Sequence, residues 1–181
     1  MTDEQLLIKQ LSAPKTQRQA FETVVRQYSE QLYWQIRRFV LSHDDANDVL
    51  QNAFIKAWQG IGSFHGDSKL LTWLSRIAIN ESLDFLRRQK NVVTMSADDE
   101  ELGIANTLMA DEYFDGDETE ARLQEAIAQL PEVQRTVFLL RYYDDMKYSD
   151  ISRMLGTSEG ALKASYHIAV KKISDFFKSH D

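Results

Sequence analysis

No cysteine occurs among the 181 residues, which excludes disulfides, thiol nucleophiles, cysteine-bound zinc and thiol redox sensing together. Proline is nearly absent, with two residues, and glycine is sparse, with seven. A chain so poor in turn formers reads as helix-rich rather than all-β. No apolar run approaches the roughly 18 residues that a membrane-spanning helix needs. The opening MTDEQLLIKQ carries acids early and lacks the basic-then-apolar order of a secretory signal, so the expected compartment is cytoplasmic. There is no G-x-x-x-x-G-K-[ST] phosphate loop and no H-E-x-x-H metal motif. His43, His65, His167 and His180 are scattered without ligand spacing. Carboxylates are plentiful but mostly fall on expected solvated faces or in an acidic middle segment, where nothing raises their pKa for acid work. These absences point away from an enzyme, and no cofactor, metal or small-molecule substrate is expected.

What the chain does have is charge, unevenly placed. A net charge of -7 argues on its own against nucleic-acid binding, which draws affinity from Lys and Arg neutralising phosphates. Distribution counts for more than the sum. Acids crowd the middle, at Asp98, Asp99, Glu100, Glu101, Asp111, Glu112, Asp115, Asp117, Glu118 and Glu120, with no Lys or Arg between Asn91 and Ala121. Bases flank them, at Arg87, Arg88 and Lys90 on one side and at Lys163, Lys171, Lys172 and Lys178 on the other.

Apolar spacing predicts an all-α chain of two small helical domains joined by an acidic linker. A first helix is expected from about Thr16, after Pro14, with Phe21, Val24, Val25, Tyr28, Leu32, Ile36, Phe39 and Val40 on its stripe. A second begins at Ser42 to Asp45, where short polar side chains can cap it, buries Ala46, Val49, Leu50, Ala53, Phe54 and Ala57, and stops at the Gly60 to Gly62 breaker. A third, capped by Asp67 or Ser68, runs to about Gln89 with Leu70, Leu74, Ile77, Ala78 and Phe85 on one side. Its pattern is imperfect, because Glu81 falls on the apolar side while Leu83 and Leu86 fall off it. Periodicity fades from Asn91 to about Gly116. The expected division is therefore a domain over 1–90, a linker over 91–117 and a second domain over 118–181. In the second, a helix spans Glu118 to Leu130, and Pro131 stands where a first-turn proline is tolerated. Another helix carries Val133, Val137, Phe138, Leu140 and Arg141. The segment Tyr148 to Leu155, a turn at Gly156-Thr157 and a last helix from Ser158 to about Phe177 complete the chain.

The stretch YSDISRMLGTSEGALKASYHIAVKKI, Tyr148 to Ile173, fits two short helices joined by a tight turn. That is the helix-turn-helix arrangement, whose second helix enters the major groove. Leu162, Tyr166, Ala169 and Ile173 recur at helical intervals and would face a core with Ile151 and Leu155. The opposite face offers Ser158, Gly160, Lys163, Ala164, His167 and Lys171, small near the start and basic further on, suited to approaching base edges and phosphates. The pattern alone also fits an ordinary helical hairpin with a solvated basic face.

On the second helix, Asp48, Gln51, Asn52 and Ile55 share a face at i, i+3, i+4 and i+7, which by itself suits a solvated surface equally. On the third, Thr72, Arg76, Asn80 and Arg87 lie on one side, beside Trp73 and after the loop from Ile61 to Gly66. A short glycine-flanked loop beside aromatic side chains can supply a pocket for a flat, unstacked base. Alternatively Phe64 and Trp73 merely cap a small core.

Taken together, LPEVQRTVFLLRYY from Leu130 to Tyr143 and the run Tyr148, Asp150, Ile151, Ser152, Leu155, Gly156, Ser158, Gly160, Leu162 and Lys163 resemble region 4 of the bacterial sigma factors. ANDVLQNAFIKAWQGIGSFHGDSKLLTWLSRIAINESLDFLRR, Ala46 to Arg88, resembles sigma region 2. Two such regions on a short tether resemble the extracytoplasmic-function group, and the resemblance covers nearly everything from Phe21 to Ile173 except the linker.

It implies a subunit that binds core RNA polymerase, at its β′ clamp helices and β flap, and directs promoter DNA recognition, opening and transcription initiation. Asp48, Gln51, Asn52 and Ile55 would then dock on the polymerase. Ser63, Phe64, His65, Trp73, Arg76, Asn80 and Arg87 would read and trap the minus-10 strand, with Phe64 and Asn80 as base contacts. Ser158, Gly160, Lys163, Ala164, His167 and Lys171 would face the minus-35 element. Asn52 replaces a usual acid, and Ser165 and Ile168 stand where arginines are common. The acidic linker is either a solvated tether or a nucleic-acid mimic in the polymerase channel. A membrane-anchored anti-sigma factor is a further implied partner. Two rival functions are a stand-alone helix-turn-helix regulator, which binds duplex DNA without polymerase, and an interaction protein that sequesters a regulator.

Overall fold

A computed structural model describes residues 1–93 and 104–180, and the described residues form helices and connecting turns only. Two compact units emerge, Met1–Ser96 and Ala97–Asp181. Both are helical, in agreement with the expected fold class.

The first unit opens with a helix that the apolar spacing did not predict, α1 (Asp3–Ser12). Thr2 and Gln5 form a reciprocal capping box: the Gln5 backbone N–H donates to Thr2 Oγ1 at 3.2 Å, and the Thr2 N–H to Gln5 Oε1 at 2.8 Å. Leu7 and Leu11, one turn apart, are buried. Gln17 Nε2 donates to the Leu11 carbonyl at 2.9 Å and Thr16 Oγ1 to the Gln10 carbonyl at 2.7 Å, tying α1 to α2 (Gln17–Phe39). Helix α2 starts where Pro14 led the spacing to place it and buries Val24, Leu32, Ile36 and Phe39, while Phe21, Val25 and Tyr28 are half-buried.

Helix α3 (His43–Gly60) is capped by Ser42, whose Oγ accepts the Asp45 N–H at 3.4 Å, and Asp44 and Asp45 complement the partial positive charge of its first turn. Its innermost residues Ala46, Val49, Ala53 and Ala57 are small. A 3-10 turn, Ile61–Ser63, follows, then α4 (Leu70–Val93). Because α4 packs against both α2 and α3, it buries more than one stripe: Leu70, Leu74, Ala78, Ile79, Ser82 and Leu83 all lie inside. That sandwich accounts for Leu83, which a one-sided helix would expose. Each fully buried Leu or Ile contributes about 1.5–3 kcal/mol, so Leu32, Ile36, Leu70, Leu74 and Ile79 dominate this core.

Glu81 is buried as well and is ion-paired with Lys56 of α3, which resolves the misplaced charge. The expected cap of α4 is corrected. Neither Asp67 nor Ser68 caps it; Glu4 of α1 does, accepting the Leu70 N–H on Oε1 at 2.7 Å from 66 residues away.

In the second unit, α5 (Ile104–Ala110) buries Leu108 and packs on α6 (Glu118–Ala128). The segment 91–117 is thus more structured than its faded periodicity suggests: α4 runs into its start and α5 lies within it. Asp98, Asp99, Glu100 and Glu101 fall outside the described residues. Asp117 caps α6 by accepting the Glu120 N–H at 2.9 Å. Pro131 sits immediately before α7 (Glu132–Tyr142), whose buried residues run Thr136, Val137, Phe138, Leu139 and Leu140. Val133, expected on that stripe, is instead exposed.

The helix α8 (Tyr148–Leu155) ends at Gly156, whose φ of +67° is the left-handed conformation that glycine adopts without a Cβ penalty. Ser158 then caps α9 (Glu159–Ser179), accepting the Ala161 N–H at 3.2 Å. Helix α9 packs on α6, α7 and α8.

Candidate nucleic-acid and protein interfaces

Helices α8 and α9 with the Gly156 turn form a helix-turn-helix whose inward face matches the expected one. Leu162, Ala169 and Ile173 are buried, over a fully buried Ile151. Tyr166 is half-buried and stacks on Phe138, with ring centroids 5.7 Å apart and planes 16° from parallel. Burial first, then the neighbouring Tyr148 and Tyr142, raises the Tyr166 pKa against the opposing pull of Arg141, so its ring is a neutral wall at physiological pH. Ser158, Gly160, Lys163, Ala164, His167 and Lys171 are all exposed on the outer side. A Cβ added at Gly160 would meet nothing within 4 Å, which leaves the start of α9 open to a close approach.

The junction that aims this motif is built around Arg141. Its Nη1 donates to the Met146 carbonyl at 2.7 Å, and its guanidinium lies 4.6 Å from the Tyr148 ring centroid. Lys163 Nζ stands 5.7 Å from the same ring, so one aromatic is contacted by cations from α7 and α9. Between α7 and α8, Asp145 has a φ of +48° and the Met146 N–H returns to the Leu140 carbonyl at 3.0 Å. Upstream, Arg135 Nη2 bonds the Ala128 carbonyl at 2.8 Å. Burial lowers its pKa, an effect that Glu132 opposes. Glu120 Oε1 accepts from Tyr143 Oη at 2.8 Å and from Gln124 Nε2 at 3.0 Å, linking α6 to α7. Arg141 and Arg135 stand in the LPEVQRTVFLLRYY run, and the structure gives both of them holding roles.

In the first unit, Thr72, Arg76, Asn80 and Arg87 are exposed on α4, with Arg87 bridging to Asp84 at 3.1 Å. The loop before the helix presents Ser63 and His65, the Ser63 hydroxyl donating to the Gly60 carbonyl at 2.7 Å. Phe64 is different. It is only 7% exposed and lies against Trp73, ring centroids 5.0 Å apart. Of the two expected base contacts, Phe64 is therefore buried against Trp73 and Asn80 is exposed. The half-buried Trp73 and the exposed Asn80, Arg76 and His65 remain on the open side.

On α3, Asp48, Gln51, Asn52 and Ile55 are all exposed, Ile55 by 49%. Trp58, one further step of three along that face, is 41% exposed and meets Phe21 at 5.1 Å. It was overlooked in the sequence, although the i+3 continuation from Ile55 was the available signal. An isoleucine and a tryptophan left open beside three polar side chains suit a protein contact better than a solvated face. Among the described residues, no group of three or more His, Asp or Glu is disposed to hold a metal ion, and no helix is long and apolar enough to cross a membrane.

Residues 24–92 match the sigma-70 region 2 family, and residues 120–173 match the sigma-70 region 4 family. The RNA polymerase sigma-H factor of Pseudomonas aeruginosa is 34% identical over 155 residues, covering 81% of this chain and 80% of the relative. The chain belongs to the sigma-70 family of RNA polymerase sigma factors. Within it, the extracytoplasmic-function group is indicated by SigW of Bacillus subtilis, 32% identical with 88% and 89% coverage, and by sigma-E of Escherichia coli K12, 30% identical with 89% and 87% coverage. The fold of this sigma factor is similar to that of RpoE of Bartonella quintana, solved with the anti-sigma factor NepR, at a TM-score of 0.69 and 23% identity, covering 87% of this chain and 96% of that one. It is also similar to a CnrH chain solved with the cytosolic domain of CnrY, at 0.69 and 20%, with 98% and 99% coverage. Region 2 of the sigma factor therefore comprises most of α2 with α3 and α4, and region 4 most of α6 with α7, α8 and most of α9. Helix α1 lies outside both matches.

Proposed function

We propose that this sigma factor binds core RNA polymerase through the α3 face of Asp48, Gln51, Asn52 and Ile55, extended by Trp58, and directs it to promoters without any catalysis of its own. Its region 4 places α9 in the major groove of the minus-35 element. Gly160 and Ala164 allow close approach there, and Lys163, His167 and Lys171 reach phosphates or base acceptors. Its region 2 holds the separated minus-10 strand over the loop and the open side of α4, with Asn80, His65 and Trp73 nearest the bases, Arg76 and Arg87 on the backbone, and Ser63 and Phe64 shaping the loop. The segment between the regions acts as an acidic tether that keeps two weak DNA readers at high effective concentration, so both elements are needed for tight binding. Its partners are core polymerase and promoter DNA in the cytoplasm, and a membrane-anchored anti-sigma factor that holds the protein inactive.

One observation carries this proposal: an exposed face suited to protein and an exposed face suited to DNA occur in one chain, on domains that match sigma regions 2 and 4 in the family's order. Gel-shifts of promoter duplex with and without core enzyme provide the test. The expected result is a discrete complex only when core is present, lost on combining Asp48→Lys with Gln51→Ala. Tight sequence-specific retention by the isolated chain would favour the stand-alone regulator, and core capture unaffected by the double substitution would remove the α3 face from the proposal.

A further inference from the structure

Helix α1 is not idle. It packs against the 3-10 turn Ile61–Ser63 as well as against α2. Ile8 lies over the far end of the same loop: its Cγ2 would stand 3.8 Å from a Cβ built on Gly66, which has a φ of +78°. Glu4 completes the arrangement by accepting the Leu70 N–H at 2.7 Å, at the point where loop becomes helix. A carboxylate here offsets the partial positive charge of the α4 N-terminus and pairs one of its unbonded N–H groups. The loop is also backed by Trp73, whose ring meets Phe64 at 5.0 Å and would lie 3.6 Å from a Cβ built on Gly60. Residues 61–69 are thus contacted by α1 and by the first turn of α4.

Both holders are anchored independently. Buried Leu7 and Leu11, with the Gln17 and Thr16 bonds to α2, fix α1, while buried Leu70 and Leu74 fix α4. The contact of Glu4 with Leu70 is therefore a strut between two seated elements, and its main action is on the loop they enclose. Tyr28 of α2 feels the same carboxylate: burial raises its pKa, and Glu4 raises it further. Glu4 is itself half-buried at this contact.

We infer that Glu4 is a positioning residue for minus-10 recognition, which sets the geometry of the Ile61 to Lys69 loop from outside the region 2 match. This rests on the proposed promoter-opening role of that loop. Glu4 touches no DNA. It fixes where His65, Ser63 and the start of α4 stand when an unstacked base arrives.

The test uses the full chain with core polymerase and compares wild type, Glu4→Ala, Glu4→Gln and Ile8→Ala. The readouts are core capture, duplex binding through the minus-35 element, the rate of promoter opening followed by a fluorescent base at minus-10, and relative affinity for single-stranded minus-10 oligonucleotides carrying each base substitution. Glu4→Ala is expected to leave core capture and minus-35 binding unchanged, slow opening about tenfold and flatten the base preference. A roughly tenfold effect is the lower end of what one lost charge-assisted bond gives. Glu4→Gln keeps an acceptor oxygen and is expected to restore most of the rate and preference. Ile8→Ala, which loosens the loop without touching the strut, is expected to flatten the preference as well, and it serves where Glu4→Ala fails to fold. Unchanged opening and unchanged preference in folded Glu4→Ala would overturn the inference, as would losses spread equally over core capture, minus-35 binding and opening. If wild type itself gives no core-dependent opening, the proposed function falls first and takes this inference with it.

Discussion

Replacing Arg141 by Ala removes two interactions that one side chain makes at the entrance to the helix-turn-helix. The first is a charge-assisted bond to the Met146 carbonyl at 2.7 Å, and the second is a contact 4.6 Å from the Tyr148 ring centroid. A hydrogen bond to a charged group contributes about 1.5–3 kcal/mol, and a partly exposed cation–π contact about 0.5–1 kcal/mol. Arg141→Ala is therefore expected to destabilise the second unit by about 2–4 kcal/mol. For a unit of this size that lowers the thermal midpoint by at least about 8 °C. The chain supplies its own control. All three tryptophans, Trp34, Trp58 and Trp73, lie in the first unit, whereas five of the seven tyrosines, Tyr113, Tyr142, Tyr143, Tyr148 and Tyr166, lie in the second and only Tyr28 and Tyr33 in the first. Urea or thermal unfolding followed by tryptophan emission reports the first unit, while near-ultraviolet tyrosine dichroism is weighted five residues to two towards the second. Arg141→Ala should shift the tyrosine transition and leave the tryptophan transition in place. Arg141→Lys keeps a cation near Tyr148 but not the planar fork, so it should fall between. A wild-type tyrosine midpoint in Arg141→Ala, or an equal shift in the tryptophan signal, would refute the role assigned to this junction.

Three further expectations are independent of it. Lys56→Met leaves the Glu81 carboxylate buried without its ion-pair partner; breaking a fully buried pair costs about 3–5 kcal/mol, and the half-exposed Lys56 reduces this to about 1–2 kcal/mol. The tryptophan-detected midpoint should fall accordingly, with recovery in Lys56→Met combined with Glu81→Leu. Asp145 occupies a left-handed conformation, so Asp145→Val should cost about 1–2 kcal/mol in the tyrosine-detected transition, and Asp145→Gly should not. Lys171 is exposed on the outer side of α9; Lys171→Ala should lower the salt dependence of minus-35 binding by about 0.9 in log K against log salt while leaving stability unchanged.

Much of this fold was legible because long helices with one buried face announce themselves by period. The limits of α2, α3, α8 and α9 follow from Pro14, Ser42, Gly156 and Ser158, residues whose backbone or capping preferences act locally. What escaped was short or non-local. Helix α1 has only Leu7 and Leu11 buried, too few for a stripe, although the Thr2 and Gln5 pair in front of an apolar run was a readable capping box. Helix α5 has seven residues and a single buried leucine, below what periodicity can register. Glu4 caps α4 from 66 positions away, and no window in the sequence connects them. Glu81 interrupts the apolar pattern of its own helix because its partner, Lys56, comes from α3.

The candidate site divides in the same way. Exposure of the α9 and α3 faces follows from helical geometry once the buried face is known, and Ser158, Gly160, Lys163, Ala164, His167, Lys171, Asp48, Gln51, Asn52 and Ile55 all lie open. Loop residues carry no such period. The family resemblance implies a base contact at Phe64, but its packing against Trp73 is a tertiary outcome that the sequence pattern does not register.

Run-off transcription over a genomic fragment library, with the 5′ ends mapped, tests most directly whether this protein acts as a promoter-selecting subunit. Adding the purified chain to core RNA polymerase should produce transcripts from a small set of discrete starts that share two upstream elements at fixed spacing, while core alone gives none of them. An identical set of 5′ ends with and without the chain would contradict the account.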